Sequence, residues 1–182
     1  MKLGVLTVPL TSKSLEETLA YLSGLGVQCV ELGAGGYTNP CHLDVQKVIS
    51  DDAEVERIKT LLDKYHMEIS ALSAHGNPLH PNKALADSYH KQFKDAVLAA
   101  ERLGIDTIIG FSGCPGDCET SQYPNWVTCA WPDDYGKILE WQWEKKIIPY
   151  WKDMAAFCQE HHVSKIAFEM HPGFCVYNPE TM

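Results

Sequence analysis

The chain has 182 residues, 45% of them hydrophobic and 21% charged, with a formal net charge of −9. That length and balance suit one globular domain with its own core. The negative charge argues against nucleic-acid binding, because a phosphate backbone needs cations to neutralise it, and Lys145–Lys146 is the only basic cluster.

The first predicted strand is Leu3–Val8. A helix is expected over about 14–24, opened by Ser14 and Glu17 at capping-box spacing and closed by Gly24 and Gly26. Strand two is Val27–Leu32, and Gly33–Leu43 reads as a loop rich in Gly, Asn and Pro. Val55, Ile58, Leu62 and Tyr65 place a second helix at about 52–65, with acidic residues at its start. Strand three is Glu68–Ala74, and a loop from His75 to Pro81 leads to a third helix over about 84–103. Strand four is Ile105–Phe111. Residues 112–134 form a long irregular stretch, of a length that is usually functional. A fourth helix covers about 135–162, kinked or broken at Pro149. Strand five is Val163–Met170, and the last residues are loop-like.

Strands alternating with helices predict a parallel α/β architecture in one domain, 1–182. A complete (β/α)8 barrel needs about 200–250 residues or more. The chain is therefore expected to be a piece of a longer barrel, or to close its sheet by self-association. A five-stranded piece would expose two sheet edges, so a homo-oligomer is expected. No apolar run approaches the ~18 residues of a membrane span, and the N-terminal apolar stretch is too short for a signal peptide. A cytoplasmic protein without a membrane partner is expected. The seven cysteines are scattered, so no disulfide framework is expected, and Cys114 and Cys118 read as two loop thiols.

In parallel α/β folds the chemistry gathers at the carboxyl ends of strands. On strand five, Ala167, Glu169 and His171 share one face and Ile166, Phe168 and Met170 the other. The polar pair would thus sit at the top of the barrel interior. A carboxylate there needs a cation or a proton, so the pattern admits a metal ligand or a structural ion pair. On strand three, Ala71, Ser73 and His75 share a face, and His75 ends it at the pocket mouth. His80, in the following loop, reads as a histidine bonded to backbone. Glu31, near the end of strand two, could bind a sugar hydroxyl or pair with a positive side chain. Trp126 and Trp131, in the long loop, could stack on a sugar ring or anchor the loop. Trp141, Trp143 and Trp151 read as helix-packing residues.

The run Glu169-Met170-His171-Pro172-Gly173 followed by Tyr177-Asn178-Pro179 resembles the xylose isomerase-like TIM-barrel family, the sugar phosphate isomerases and epimerases. His75-Gly76-Asn77-Pro78 and Val30-Glu31-Leu32-Gly33 add to the likeness, which covers the whole chain. The resemblance implies a (β/α)8 TIM barrel, present here as an N-terminal portion of about five parallel strands and four helices that stops after strand five. It implies one divalent metal (Mn, Mg, Co or Zn) and a small sugar substrate, phosphorylated or not. Glu169 matches the family's first metal ligand and a proton-transferring carboxylate. The ligands on strands six to eight have no counterpart, so the chain as given is expected to be poorly active. The resemblance makes His171 a candidate acid/base and His75, Glu31, Trp126 and Trp131 candidate substrate contacts. Two other readings share the fold: a metal-dependent lyase acting on oxidised C-glycosides, which also fits Glu169-Met170-His171, and an apurinic endonuclease, which the net charge disfavours. A non-catalytic fragment or sugar-binding module is the third alternative.

Overall fold

Strands β1 (Gly4–Leu6), β2 (Cys29–Gly36), β3 (Glu68–His75), β4 (Thr107–Gly110) and β5 (Lys165–Phe168) form one sheet in the order 1-2-3-4-5, every pair parallel. The computed structural model describes residues 1–37 and 40–182. Parallel neighbours need crossovers, and helices supply them. These are α1 (Leu15–Gly24), α2 (Val45–Ser50), α3 (Asp52–Tyr65), α4 (Lys83–Leu103), α5 (Asp133–Gln142) and α6 (Ile148–Glu160). The arrangement is the first five strands of a TIM barrel, with all strand carboxyl ends on one side.

Alternation along the strands decides which face meets the helices. Val30, Leu32, Leu72 and Ile108 are fully buried and join Leu19, Ile58, Phe93, Val97 and Met154 in one apolar cluster. Each such side chain contributes roughly 1.5–3 kcal/mol relative to exposure. The opposite face carries Cys29, Glu31, Ala71, Ser73, His75 and Ala167, and becomes more open toward β5, where Ala167 is exposed.

α1 starts as its sequence dictates. The Ser14 side chain accepts from Glu17 N (3.2 Å), and Glu17 Oε2 accepts from Ser14 N (2.7 Å). Four expectations need correction. β2 continues past Leu32 to Gly36, because Gly33, Gly35 and Gly36 pair with Ser73, Ala74 and His75 through a register shift. A Cβ added at Gly35 would meet Gln92 at 2.9 Å and one at Gly36 the His75 carbonyl at 2.0 Å, and Thr38 and Asn39 of the loop predicted at Gly33–Leu43 lie outside the described residues. α2 was not expected. Asp44 caps it by accepting from Lys47 N (3.1 Å). β1, β4 and β5 are shorter than predicted at both ends, each trimmed to the residues that pair with a neighbouring strand. The fourth predicted helix begins at Asp133 and widens into a π-helical turn, Trp143–Ile147, before α6. Pro149 has no N–H and its ring crowds the carbonyl four residues back, so the irregularity falls in the turn preceding it.

Candidate active site

Every strand delivers a side chain to one cavity at the carboxyl end of the sheet. Leu6 ends β1, Tyr37 follows β2, His75 ends β3, Phe111 follows β4, and Glu169 and His171 follow β5. With Phe174 they enclose about 500 Å³. Glu169 stays in line with the sheet because its N–H donates to the Gly110 carbonyl (3.0 Å).

The polar groups sit against an aromatic wall. Phe111 stacks on Phe174 with ring centroids 4.2 Å apart, and lies 4.8 Å from His75 and 5.1 Å from His171. Tyr37 packs on Tyr89 at 5.1 Å. Gly76 leaves room for Tyr89, whose ring a Cβ there would meet at 2.5 Å. Partial burial, and then the neighbouring Tyr89 phenol, push the Tyr37 hydroxyl up to about 12.

His75 is buried, 4% exposed, with its Nε2 3.0 Å from Glu169 Oε2. Proximity suggests an ion pair, but the angle falls short of a hydrogen bond, and Nε2 has no hydrogen-bond partner. The angle decides. His75 therefore offers an uncommitted buried nitrogen to the cavity, and the half-exposed Glu169 carboxylate beside it keeps its acceptor sites open. Such a carboxylate suits one position in the coordination shell of a divalent ion. Among the described residues no three His, Cys, Asp or Glu side chains cluster tightly enough to hold an ion alone.

His171 is oriented differently. Its Nδ1 lies 2.7 Å from the Pro172 carbonyl, which can only accept. Nδ1 therefore carries the proton, and in the neutral ring Nε2 holds the free lone pair.

The structure brings Glu169, His171 and His75 together. Glu31 lies on the same sheet face but opposite Ala71, deeper than His75, half-buried and outside the cavity lining. It has no ion pair among the described residues. Trp126 and Trp131 are not brought to this cavity. They line a separate depression of about 280 Å³, and Trp126 packs edge-on against Tyr177 at 5.3 Å. His80 is a backbone-bonded histidine, its Nδ1 accepting from Asn82 N (2.9 Å). Trp151 packs on Phe93 and Phe168 and donates to the Ser112 carbonyl (2.8 Å). Leu6, Tyr37, Phe111 and Phe174 were not expected in the site. The position of Phe111 at a strand end was a signal for it; Phe174 returns to the site through a turn that Pro172-Gly173 marks, with Gly173 at φ +93° and Phe174 N donating to the His171 carbonyl.

Five parallel strands with helical crossovers, and polar side chains gathered at the strands' carboxyl ends, define the TIM-barrel fold. The sequence profile of the xylose isomerase-like TIM barrel matches residues 19–182, and the chain belongs to that family. It is 34% identical over 185 residues to the uncharacterized protein YfiH of Bacillus subtilis (strain 168), with 100% of this chain and 58% of that protein aligned. A D-tagatose 3-epimerase-like protein superposes with a TM-score of 0.62 at 16% identity, over 100% of this chain and 58% of that one. The IOLI protein with a bound zinc atom gives a TM-score of 0.58 at 17% identity, over 100% and 56%. The chain thus spans a little over half the length of these relatives. At such identities the structures share the fold. No helix among the described residues is long and apolar enough to cross a membrane.

Proposed function

We propose that the chain carries one half of the active site of a metal-dependent sugar, or sugar phosphate, isomerase or epimerase. The observation that carries this reading is the half-exposed Glu169 carboxylate, 3.0 Å from His75 Nε2, lining one strand-end cavity together with His171. Family membership supports it, as do the epimerase-like protein and the zinc-bearing protein among its structural relatives.

The chemistry required is removal of a proton next to a carbonyl and its return to the neighbouring carbon or the opposite face. A divalent metal (Mn, Mg, Co or Zn), when bound, polarises that carbonyl and acidifies the C–H. Glu169 would be one of its ligands, with the others supplied from outside this chain or by a second copy in a homo-oligomer. On this reading Glu169 also takes the proton and returns it. His171 Nε2 can accept a proton from a substrate hydroxyl and give it back, because Pro172 holds Nδ1–H in place. His75 positions the substrate by donating or accepting at its buried nitrogen, and the Phe111–Phe174 pair excludes water and offers a flat apolar face to a sugar ring. Glu31, deeper than the cavity lining, and Trp126 and Trp131, in the separate depression, are proposed as contacts only for substrate parts that reach beyond the lining, and a cytoplasmic setting suits the free thiols. Lyase chemistry on an oxidised glycoside begins with the same proton abstraction, and His171 serves it equally.

Two measurements test the proposal together. One is metal content of the wild-type chain and Glu169→Gln after loading with Mn or Zn. The other is exchange of substrate C–H protons in D2O, followed by NMR over a panel of ketoses. Metal lost in Glu169→Gln and exchange lost in His171→Gln are expected. Exchange ending in an eliminated product would assign the lyase reading, and metal retention unchanged by Glu169→Gln would refute the metal role.

A further inference from the structure

Below the cavity, the loops after β4 and β5 run side by side. Cys175 N donates to the Gly113 carbonyl (3.0 Å), and Val176 N to Ser112 Oγ (2.8 Å). Chains joined by backbone bonds lie about 4.7–4.9 Å apart, within the Cα spacing of about 4.4–6.8 Å that a disulfide spans. Cys114, next to Gly113, and Cys175 are both buried, both free, and pack together with Ile147. Asn77 fixes Cys114 from the far side. Its Nδ2 donates to the Cys114 carbonyl (2.9 Å), and its Oδ1 accepts from Cys114 N (2.9 Å).

We propose that Cys114 and Cys175 are a disulfide-forming pair, and that closing it ties together the loops that follow β4 and β5 at the site. Contact between the two packed thiols holds Cys114 below and Cys175 above the usual thiol range. Cys175 also borders a depression of about 500 Å³ lined by Val127, Leu139 and Trp143, which gives a small oxidant its approach.

With hydrogen peroxide as oxidant the chemistry balances. The Cys114 thiolate takes one peroxide oxygen, becoming a sulfenic acid, and the hydroxide released recovers as water the proton that the thiolate gave up. The Cys175 sulfur then attacks the Cys114 sulfur, forming the S–S bond. Hydroxide leaves and takes the Cys175 proton as a second water. Two thiols are oxidised by two electrons, and one peroxide is reduced to two waters. Cys114 is the thiol oxidised first and Cys175 the resolving one, and because both are buried, closure is slower than oxidation of the exposed Cys118 and Cys129.

The test needs no variant. The folded chain is treated with millimolar hydrogen peroxide, alkylated, digested and analysed by mass spectrometry with and without reductant. A peptide linking Cys114 to Cys175 is expected, cleaved by reductant, together with a rise in melting temperature on the order of 10 °C. The double variant Cys118→Ser/Cys129→Ser should form the same link. Recovery of Cys114 and Cys175 as free thiols after the exposed cysteines are oxidised, or a link that forms only in urea, would overturn the proposal.

Discussion

Gly36 is the tightest point of the fold, and replacing it with alanine should damage both stability and site. Its φ is +95°, and an added Cβ would come within 2.0 Å of the His75 carbonyl oxygen, backbone that cannot step aside alone. The left-handed conformation costs an alanine about 1–2 kcal/mol. Relieving the clash separates β2 from β3 where Tyr37 N donates to His75 O (2.6 Å) and Gly36 N to Gln92 Oε1 (2.7 Å). Two weakened hydrogen bonds add about 2 kcal/mol. The total, about 3–4 kcal/mol, corresponds to a melting temperature lower by roughly 10 °C at this chain length. Differential scanning calorimetry measures it. Gly24→Ala is the control: a Cβ at the end of α1 meets nothing within 4 Å, so it should hold or slightly raise stability. The His75 ring resonances should shift in Gly36→Ala and stay in Gly24→Ala. A Gly36→Ala protein melting within 2 °C of wild type, on the order of 0.5 kcal/mol, would refute the reasoning.

Two further outcomes are expected. Asn77→Ala strands the buried N–H and carbonyl of Cys114 and the N–H of Leu79, and should cost roughly 2–3 kcal/mol in urea unfolding; a loss below about 0.5 kcal/mol would contradict it. Burial raises the Cys158 thiol to about 11. The fold favours the protonated form, so its contribution is complete below the ordinary thiol value and disappears as pH climbs through about 11. The urea midpoint should therefore fall between pH 9 and 11 less steeply in Cys158→Val than in wild type, and equal slopes would count against that assignment.

What the sequence reveals depends on how far apart the cooperating residues lie. Ser14 and Glu17 are three positions apart, and the cap they form was legible. So were the strand–helix alternation and the face shared by Ala71, Ser73 and His75, because each depends on a local period. Gly33–Gly36 misled, since glycine marks both loops and close backbone approach; only Gln92 and His75, distant in sequence, tell which. The long loop shows the same limit. Gln142, fully buried, donates to the Gly116 carbonyl (2.9 Å) and the Asn125 carbonyl (2.7 Å). Those bonds hold the loop against α5, and Trp126 and Trp131 end up lining the separate depression rather than the strand-end cavity. Neither tryptophan's own neighbours carry that information.

The site also distinguishes two histidines that look alike in the sequence, each at a strand's end on the interior face. His75 is buried against Phe111, with Nε2 3.0 Å from Glu169 at the inner wall of the cavity. His171 is exposed, with one nitrogen committed to a carbonyl and the other open. A group that must exchange protons in every turnover needs a route to solvent, and a group that must hold one orientation gains from losing that route. On the proposed function, His171 is therefore the residue to relay protons and His75 the one to fix geometry. His75→Gln, which keeps a polar atom at the end of the side chain, should then change substrate affinity more than turnover. His171→Gln should do the reverse, which a KM-against-kcat comparison on the first substrate found would decide.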